Sequence, residues 1–175
     1  MPKNLYFLIC LLFLFIIPCD AQHLGVRDQV QKTYVSKIGV REATGRNDGK
    51  DVEAYLKYVW LAKGQPWCAA FVSWTFGQHG IKKPRSGGCV QLMEQGKTIF
   101  IKNKASQIPQ KGDVFFIWFA NKKRVAHTGF IDQWGDDIVI TVEGNTNEAG
   151  SREGDGVYKK RRLKRQIYAA TSYFN

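Results

Sequence analysis

The sequence predicts an α+β domain with N-terminal helices packed on a C-terminal antiparallel β-sheet. In the first half of the chain, apolar residues recur every three or four positions, which is the period of a helix that buries one face. In the second half, short runs of β-branched and aromatic residues are separated by turn residues, which indicates strands. Helical patterns followed by strand patterns are typical of an α+β domain.

Residues 1–21 are predicted to be a secretory signal peptide that precedes the fold. A positive residue near the start is followed by the uncharged run 5–17, and small residues around Cys19 provide a cleavage site. As a helix this run would span roughly 20 Å, too short for a bilayer core of about 30 Å. The alternative is a lipoprotein signal acylated at Cys19. We therefore expect one secreted domain, residues 22–175, in the periplasm or extracellular space, without a membrane-spanning segment.

Four helices are predicted in this domain, over residues 23–38, 51–61, 66–77 and about 89–95. The second helix is expected to bury one face formed by Val52, Tyr55, Leu56, Val59 and Trp60. The third is read as a strongly amphipathic apolar run that starts at Pro66, because proline suits the first helical position. Cys68 then lies in the first turn, where unpaired backbone N–H groups and the helix dipole stabilise a nucleophilic thiolate.

Five strands are predicted to follow, over residues 113–119, 126–133, 137–143, 157–163 and 167–174. A hairpin turn at residues 134–136 joins the second and third strands, and the last two are expected to pair. His127 starts the second strand and Glu143 ends the third, so adjacent strands would bring them side by side. Cys68 facing His127, with Glu143 orienting the imidazole, would form a thiol hydrolase site.

Four short segments of the chain occur in the order and approximate spacing of a CHAP domain, namely Trp67–Val72, Gly112–Phe116, His127–Phe130 and Glu143–Asn145. Over about residues 30–174 the chain resembles these cysteine, histidine-dependent amidohydrolases/peptidases of the NlpC/P60 papain-like superfamily. The resemblance implies a papain-like fold and cleavage of amide bonds in bacterial peptidoglycan. It also implies Cys68 as nucleophile, His127 as general base and acid, Glu143 as the orienting group and Asn145 as a fourth polar position.

The expected reaction leaves several alternatives open. An N-acetylmuramoyl-L-alanine amidase and a stem or cross-link endopeptidase would use the same groups. A non-catalytic wall- or polyanion-binding module on the same fold, or a papain-like hydrolase of another amide, are the competing functions. The backbone N–H of Cys68 and the Gln65 side chain are the expected oxyanion donors. No cofactor is expected, and no metal, because the histidines and cysteines lack the close paired spacing of a zinc site.

The chain is strongly basic, with 26 Lys and Arg against 15 Asp and Glu and a formal net charge of +11. Such a charge attracts polyanions. Residues 159–165 hold six basic residues in seven positions. In an exported protein we expect this run to contact anionic envelope polymers rather than nucleic acid, and a solvated hairpin without a partner is the simpler alternative.

Removal of the signal would leave two of the four cysteines, Cys68 and Cys89. Cys89 follows two glycines and opens a short apolar stretch, and no CHAP pattern accounts for it. Three interpretations stay open: a disulfide with Cys68, a buried free thiol, or a reversible redox partner of the nucleophile.

Overall fold

The computed structural model of the protein describes residues 25–102, 104–148 and 154–174. The predicted signal peptide, residues 1–21, and the alternative acylation site Cys19 lie outside these ranges.

The four predicted helices are present and shorter than expected: α1 (Val26–Ser36), α2 (Lys50–Tyr58), α3 (Cys68–Gly77) and α4 (Cys89–Glu94). The prediction for Trp60 was wrong, because α2 ends before it and the backbone there turns left-handed (φ 59°), leaving the side chain 75 % exposed. The amphipathic interpretation of α3 was also wrong. Eight of its ten residues are buried, so α3 is a central helix surrounded by protein rather than a surface helix.

The strands form one antiparallel sheet of seven: β1 (Lys97–Ile101), β2 (Lys104–Ala105), β3 (Val114–Phe119), β4 (Arg124–Trp134), β5 (Ile138–Thr146), β6 (Gly156–Leu163) and β7 (Ala169–Ser172). With the helices preceding the strands, the α+β prediction is confirmed. The sequence analysis missed β1 and β2, which are short and carry lysines. The predicted hairpin is present, closed by the Gly135 N–H donating to the Ile138 carbonyl at 3.1 Å.

The last two strands do not pair, which corrects the sequence prediction. The strand order is β2-β1-β7-β3-β4-β5-β6, so β7 lies between β1 and β3 whereas β6 forms the edge beside β5. The burial patterns explain this placement. All four residues of β7 are small and buried, as a central strand requires, whereas β6 alternates and exposes every second residue over its basic part.

Two apolar clusters lie on opposite faces of the sheet, since successive residues of β3 belong to different clusters. The larger cluster packs the helices on the sheet, and Phe71 of α3 contacts Phe130 of β4 edge to face. Helix α3 touches both β4 and β5, so the predicted packing of the cysteine helix on the sheet is found. Within the described ranges, no helix has the length and apolar character needed to cross a bilayer.

Candidate active site

Cys68 is the first residue of α3, and Trp67 is its N-cap. Pro66 therefore lies before the helix rather than at its first position. The first hydrogen bond of the helix runs from the Phe71 N–H to the Trp67 carbonyl at 2.8 Å. The N–H groups of the first turn precede that bond and point toward the helix start. The Ala69 N–H is one of them, and it stabilises the Cys68 thiolate.

The helix start is held in place by the side chains around Trp67. The Trp67 N–H donates to Asn145 Oδ1 at 3.1 Å, and the indole N–H donates to Glu42 Oε1 at 2.9 Å. Asn145 Nδ2 in turn donates to Asn47 Oδ1 at 3.0 Å. Asn145 thus ties the end of β5 to the residue before Cys68. A catalytic role for Asn145 stays a prediction.

His127 and Glu143 lie side by side on the neighbouring strands β4 and β5, as their sequence positions suggested. His127 Nε2 is 2.8 Å from Glu143 Oε2, and the carboxylate has no solvent exposure. Because Glu143 uses Nε2, the other ring nitrogen, Nδ1, is left for Cys68. The Cys68 and His127 side chains interact closely enough to shift each other's pKa.

Gly129 provides the space through which Glu143 reaches His127. It follows His127 by two residues on the same strand, so both face the same side of the sheet. A Cβ at position 129 would lie 3.1 Å from Glu143 Cγ and 2.8 Å from the Val142 carbonyl oxygen. Any larger residue would therefore displace the carboxylate or separate β4 from β5.

Arg162 is a member of the site that the sequence analysis missed. Its Nε donates to Glu143 Oε1 at 2.8 Å, and its Nη2 donates to Oε2. In the sequence, Arg162 is one of the six basic residues of the run 159–165. The strand pattern of β6 could have distinguished Arg162 from its neighbours. Residues 158, 160 and 162 lie on one face of the strand, and the residues between them lie on the other.

Cys89, the first residue of α4, is the other unassigned group in the site. Its Sγ lies 3.7 Å from Cys68 Sγ, and both cysteines are free and buried. Of the three interpretations that the sequence left open, the structure shows the buried free thiol and not the disulfide. The hydrogen bond to Cys68 and, after it, burial raise the pKa of Cys89, so Cys89 remains a thiol and donates its S–H.

The electrostatics favour a thiolate–imidazolium pair. The hydrogen bond from Cys89 lowers the pKa of Cys68; burial opposes this, but His127 lowers it further, to well below the usual range. Burial alone would lower the pKa of His127, yet its interactions with Cys68 and Glu143 prevail and raise it to about 9. Burial likewise opposes ionisation of Glu143, but Arg162 and His127 hold its pKa far below the usual range.

Two further polar residues, Gln65 and His79, precede and follow Cys68 along the chain. Gln65 is exposed, three residues before Cys68, and its oxyanion role stays a prediction. His79 Nε2 is 2.8 Å from Thr33 Oγ1. Within the described part of the chain, no group of three or more His, Cys, Asp or Glu side chains is arranged to hold a metal ion. Trp67, which precedes Cys68, belongs to the buried core.

Comparison with known proteins identifies one family. Residues 60–145 match the family model of the CHAP domain. The matched range includes Cys68, His127, Glu143 and Asn145 and ends before Arg162. No curated protein and no solved structure matches the chain.

Proposed function

Residues 60–145 of this chain form a CHAP domain, and from this premise we propose that the protein cleaves amide bonds of bacterial peptidoglycan with Cys68 as nucleophile. CHAP domains are amidase or peptidase hydrolases. One observation carries the assignment to a thiol mechanism. Cys68 begins a buried helix next to His127, whose Nε2 is 2.8 Å from the buried Glu143 carboxylate.

The proposed reaction uses each group at a defined atom. The Cys68 thiolate attacks the scissile carbonyl carbon, and the resulting oxyanion is stabilised by backbone N–H groups at the start of α3, with Gln65 as a further donor. The His127 imidazolium gives its proton to the leaving amine, which breaks the amide and leaves an acyl thioester on Cys68. His127 then removes a proton from water, and the hydroxide attacks the thioester, which releases the acid and restores the Cys68 thiolate beside the His127 imidazolium.

Export and positive charge would together bring the enzyme to its substrate. A chain exported through residues 1–21 would meet peptidoglycan in the periplasm or outside the cell. Its formal charge of +11 favours contact with the anionic polymers of the envelope. The sacculus is thus both the substrate and the surface to which the enzyme binds.

Digestion of purified sacculi, followed by mass spectrometry of the muropeptides, tests the proposal. The wild-type protein should release new amine and carboxyl ends whose position identifies an N-acetylmuramoyl-L-alanine amidase or a stem or cross-link endopeptidase. The Cys68→Ala variant should release none and melt within a few degrees of wild type. Cleavage by the alanine variant at more than a few per cent of the wild-type rate would reject Cys68 as the nucleophile.

Paired variants separate catalytic groups from other residues of the same type. His127→Ala should be as inactive as Cys68→Ala, whereas His79→Ala should retain activity because His79 bonds to Thr33 away from the site. Iodoacetamide should abolish the activity and EDTA should leave it intact. Loss of activity with EDTA that zinc restores would contradict the thiol mechanism.

A further inference from the structure

We infer that Arg162 is a positioning residue of the active site, which fixes the Glu143 carboxylate so that Glu143 can orient His127. The inference rests on the proposed function for its effect on catalysis. Its structural basis is independent, because the contacts between Arg162 and Glu143 are present whatever the substrate.

The Glu143 carboxylate receives four hydrogen bonds. Oε2 accepts from His127 Nε2 at 2.8 Å and from Arg162 Nη2, and Oε1 accepts from Arg162 Nε at 2.8 Å and from Thr141 Oγ1. A carboxylate has about four acceptor sites, so all of them are occupied. Arg162 supplies two of the four bonds in a bidentate pair, which fixes the plane of the carboxylate as well as its position. Oε2 therefore points at the imidazole.

Arg162 does not lie opposite Glu143 in the sheet, so its side chain reaches the carboxylate from a position farther along β5. Arg162 pairs in register with Val139, four residues before Glu143, and it faces the same side of the sheet as Thr141. Its side chain must run along β5 to reach the carboxylate. The Arg162 side chain is only 19 % exposed, whereas Arg161 beside it is an exposed residue. Arg162 is thus directed inward.

The charges around the thiol give Arg162 an electrostatic effect that can be measured. The titratable and charged groups of the site are Cys68 on α3, Cys89 on α4, His127 on β4, Glu143 on β5 and Arg162 on β6, with Lys122 and Arg124 close enough to act on Cys89. When the Cys68 thiolate and the His127 imidazolium are formed, their charges cancel and Cys89 is neutral. The positive charge of Arg162 then balances the negative charge of Glu143. Without Arg162 the pKa of Glu143 would rise. Glu143 would then become protonated at a higher pH, and His127 would lose its anionic partner there.

The test uses Arg162→Gln, Arg162→Lys and the neighbouring control Arg161→Gln. We expect Arg162→Gln to lower kcat/KM on muropeptides by about 10- to 100-fold, by analogy with the loss of the outer partners that orient histidines at metal sites. The acid limb of its pH–rate profile should move to higher pH by about one unit. Arg162→Lys keeps the charge and should recover part of both effects, and Arg161→Gln should leave the acid limb where the wild type has it.

The rate of Cys68 alkylation by iodoacetamide, followed across pH by mass spectrometry, provides a readout without substrate. Its acid midpoint should rise in Arg162→Gln but not in Arg161→Gln, even if the protein proves to cleave no peptidoglycan. In a Glu143→Gln background, adding Arg162→Gln should cause no further shift. If Arg162→Gln does not fold, the alkylation midpoint of Arg162→Lys is compared with those of the wild type and Arg161→Gln instead. A folded Arg162 variant with wild-type midpoints in both assays would overturn the inference.

Discussion

At the scale of single residues, the two thiols at the start of α3 and α4 differ in their roles. Cys68 is held as a thiolate partly because Cys89 donates its S–H from 3.7 Å. The sequence offered no reason for Cys89, since its partner is 21 residues away along the chain. We therefore expect Cys89 to support the proposed nucleophile without being required for bond cleavage.

Replacing Cys89 should change the pKa of Cys68 more than it changes the rate at neutral pH. Cys89→Ser retains a hydroxyl donor, so hydrolysis should stay within a few-fold of wild type, with a stability loss of about 1–2 kcal/mol. Cys89→Ala removes the donor, so the midpoint of Cys68 alkylation by iodoacetamide should move to higher pH. An unchanged midpoint in Cys89→Ala would show that the thiol contact does not stabilise the thiolate.

Thiol counting on unfolded mature protein, purified without reductant, gives the control for this comparison. Two reactive thiols would agree with the structure, in which both cysteines are free. No thiols together with full activity would mean that Cys68 is structural, because a disulfide sulfur cannot attack a carbonyl. No thiols, with activity that appears only on adding dithiothreitol, would instead establish a reversible disulfide between the pair.

At the scale of helices and strands, the sequence identified every element that carries a predicted catalytic residue. An apolar run after Pro66 located α3, runs of β-branched and aromatic residues located β4 and β5, and the hairpin between these strands brought the His127 and Glu143 side chains together. The sequence did not indicate the place of β7, because strand order depends on contacts between distant segments. The sequence also did not reveal the role of Arg162. The basic composition of the run 159–165 suggested that Arg162 is exposed, but its position in β6 directs the side chain inward.

The close approach of β4 and β5 at Gly129 should be sensitive to one added methyl group. Gly129→Ala places a Cβ 2.8 Å from the Val142 carbonyl oxygen and 3.1 Å from Glu143 Cγ. We expect a stability loss of about 1–3 kcal/mol from overpacking, and a fall in kcat/KM because Glu143 shifts away from His127. Thermal melts and muropeptide assays measure the two effects.

Gly25→Ala is the matched control for this substitution, because an added Cβ there meets nothing closer than 3.7 Å. It should leave the rate unchanged and lower the melting temperature only slightly, because Gly25 is the N-cap of α1 and alanine is a poorer N-cap. If Gly129→Ala retained the wild-type rate and melting temperature, the spacing of the two strands would not be what positions Glu143.

At the scale of the whole molecule, the buried ion pair should determine how activity depends on pH. His127 keeps its proton until the pH approaches its pKa of about 9, and Cys68 loses its proton well below the usual thiol pKa. Both groups are therefore correctly charged at neutral pH, and kcat/KM should fall only above about pH 9 and in acid. Rates on soluble muropeptides across pH check this. A rate that keeps rising beyond pH 9, as ordinary thiol ionisation predicts, would contradict it.

The excess positive charge is distributed unevenly over the basic run 159–165. Lys159 pairs with Asp132 at 2.8 Å, Lys160 bonds to the Asn147 carbonyl and Arg162 bonds to Glu143. Arg161 and Arg165 remain among the exposed residues of this edge of the sheet. Any attraction of the run to wall polymers therefore depends on fewer charges than its sequence suggests.

Binding to sacculi should depend on salt and on these two arginines. In the Cys68→Ala background, which binds without cleaving, the bound fraction should fall as salt rises, because charges are screened beyond about 8 Å at 0.15 M. Arg161→Glu with Arg165→Glu should weaken binding at low salt more than Lys32→Glu with Lys57→Glu, which changes the net charge equally on the exposed surface of α1 and α2. Equal losses in the two double variants would show that net charge, rather than the basic run, holds the enzyme on the wall. No loss in either would show that wall binding depends on other contacts.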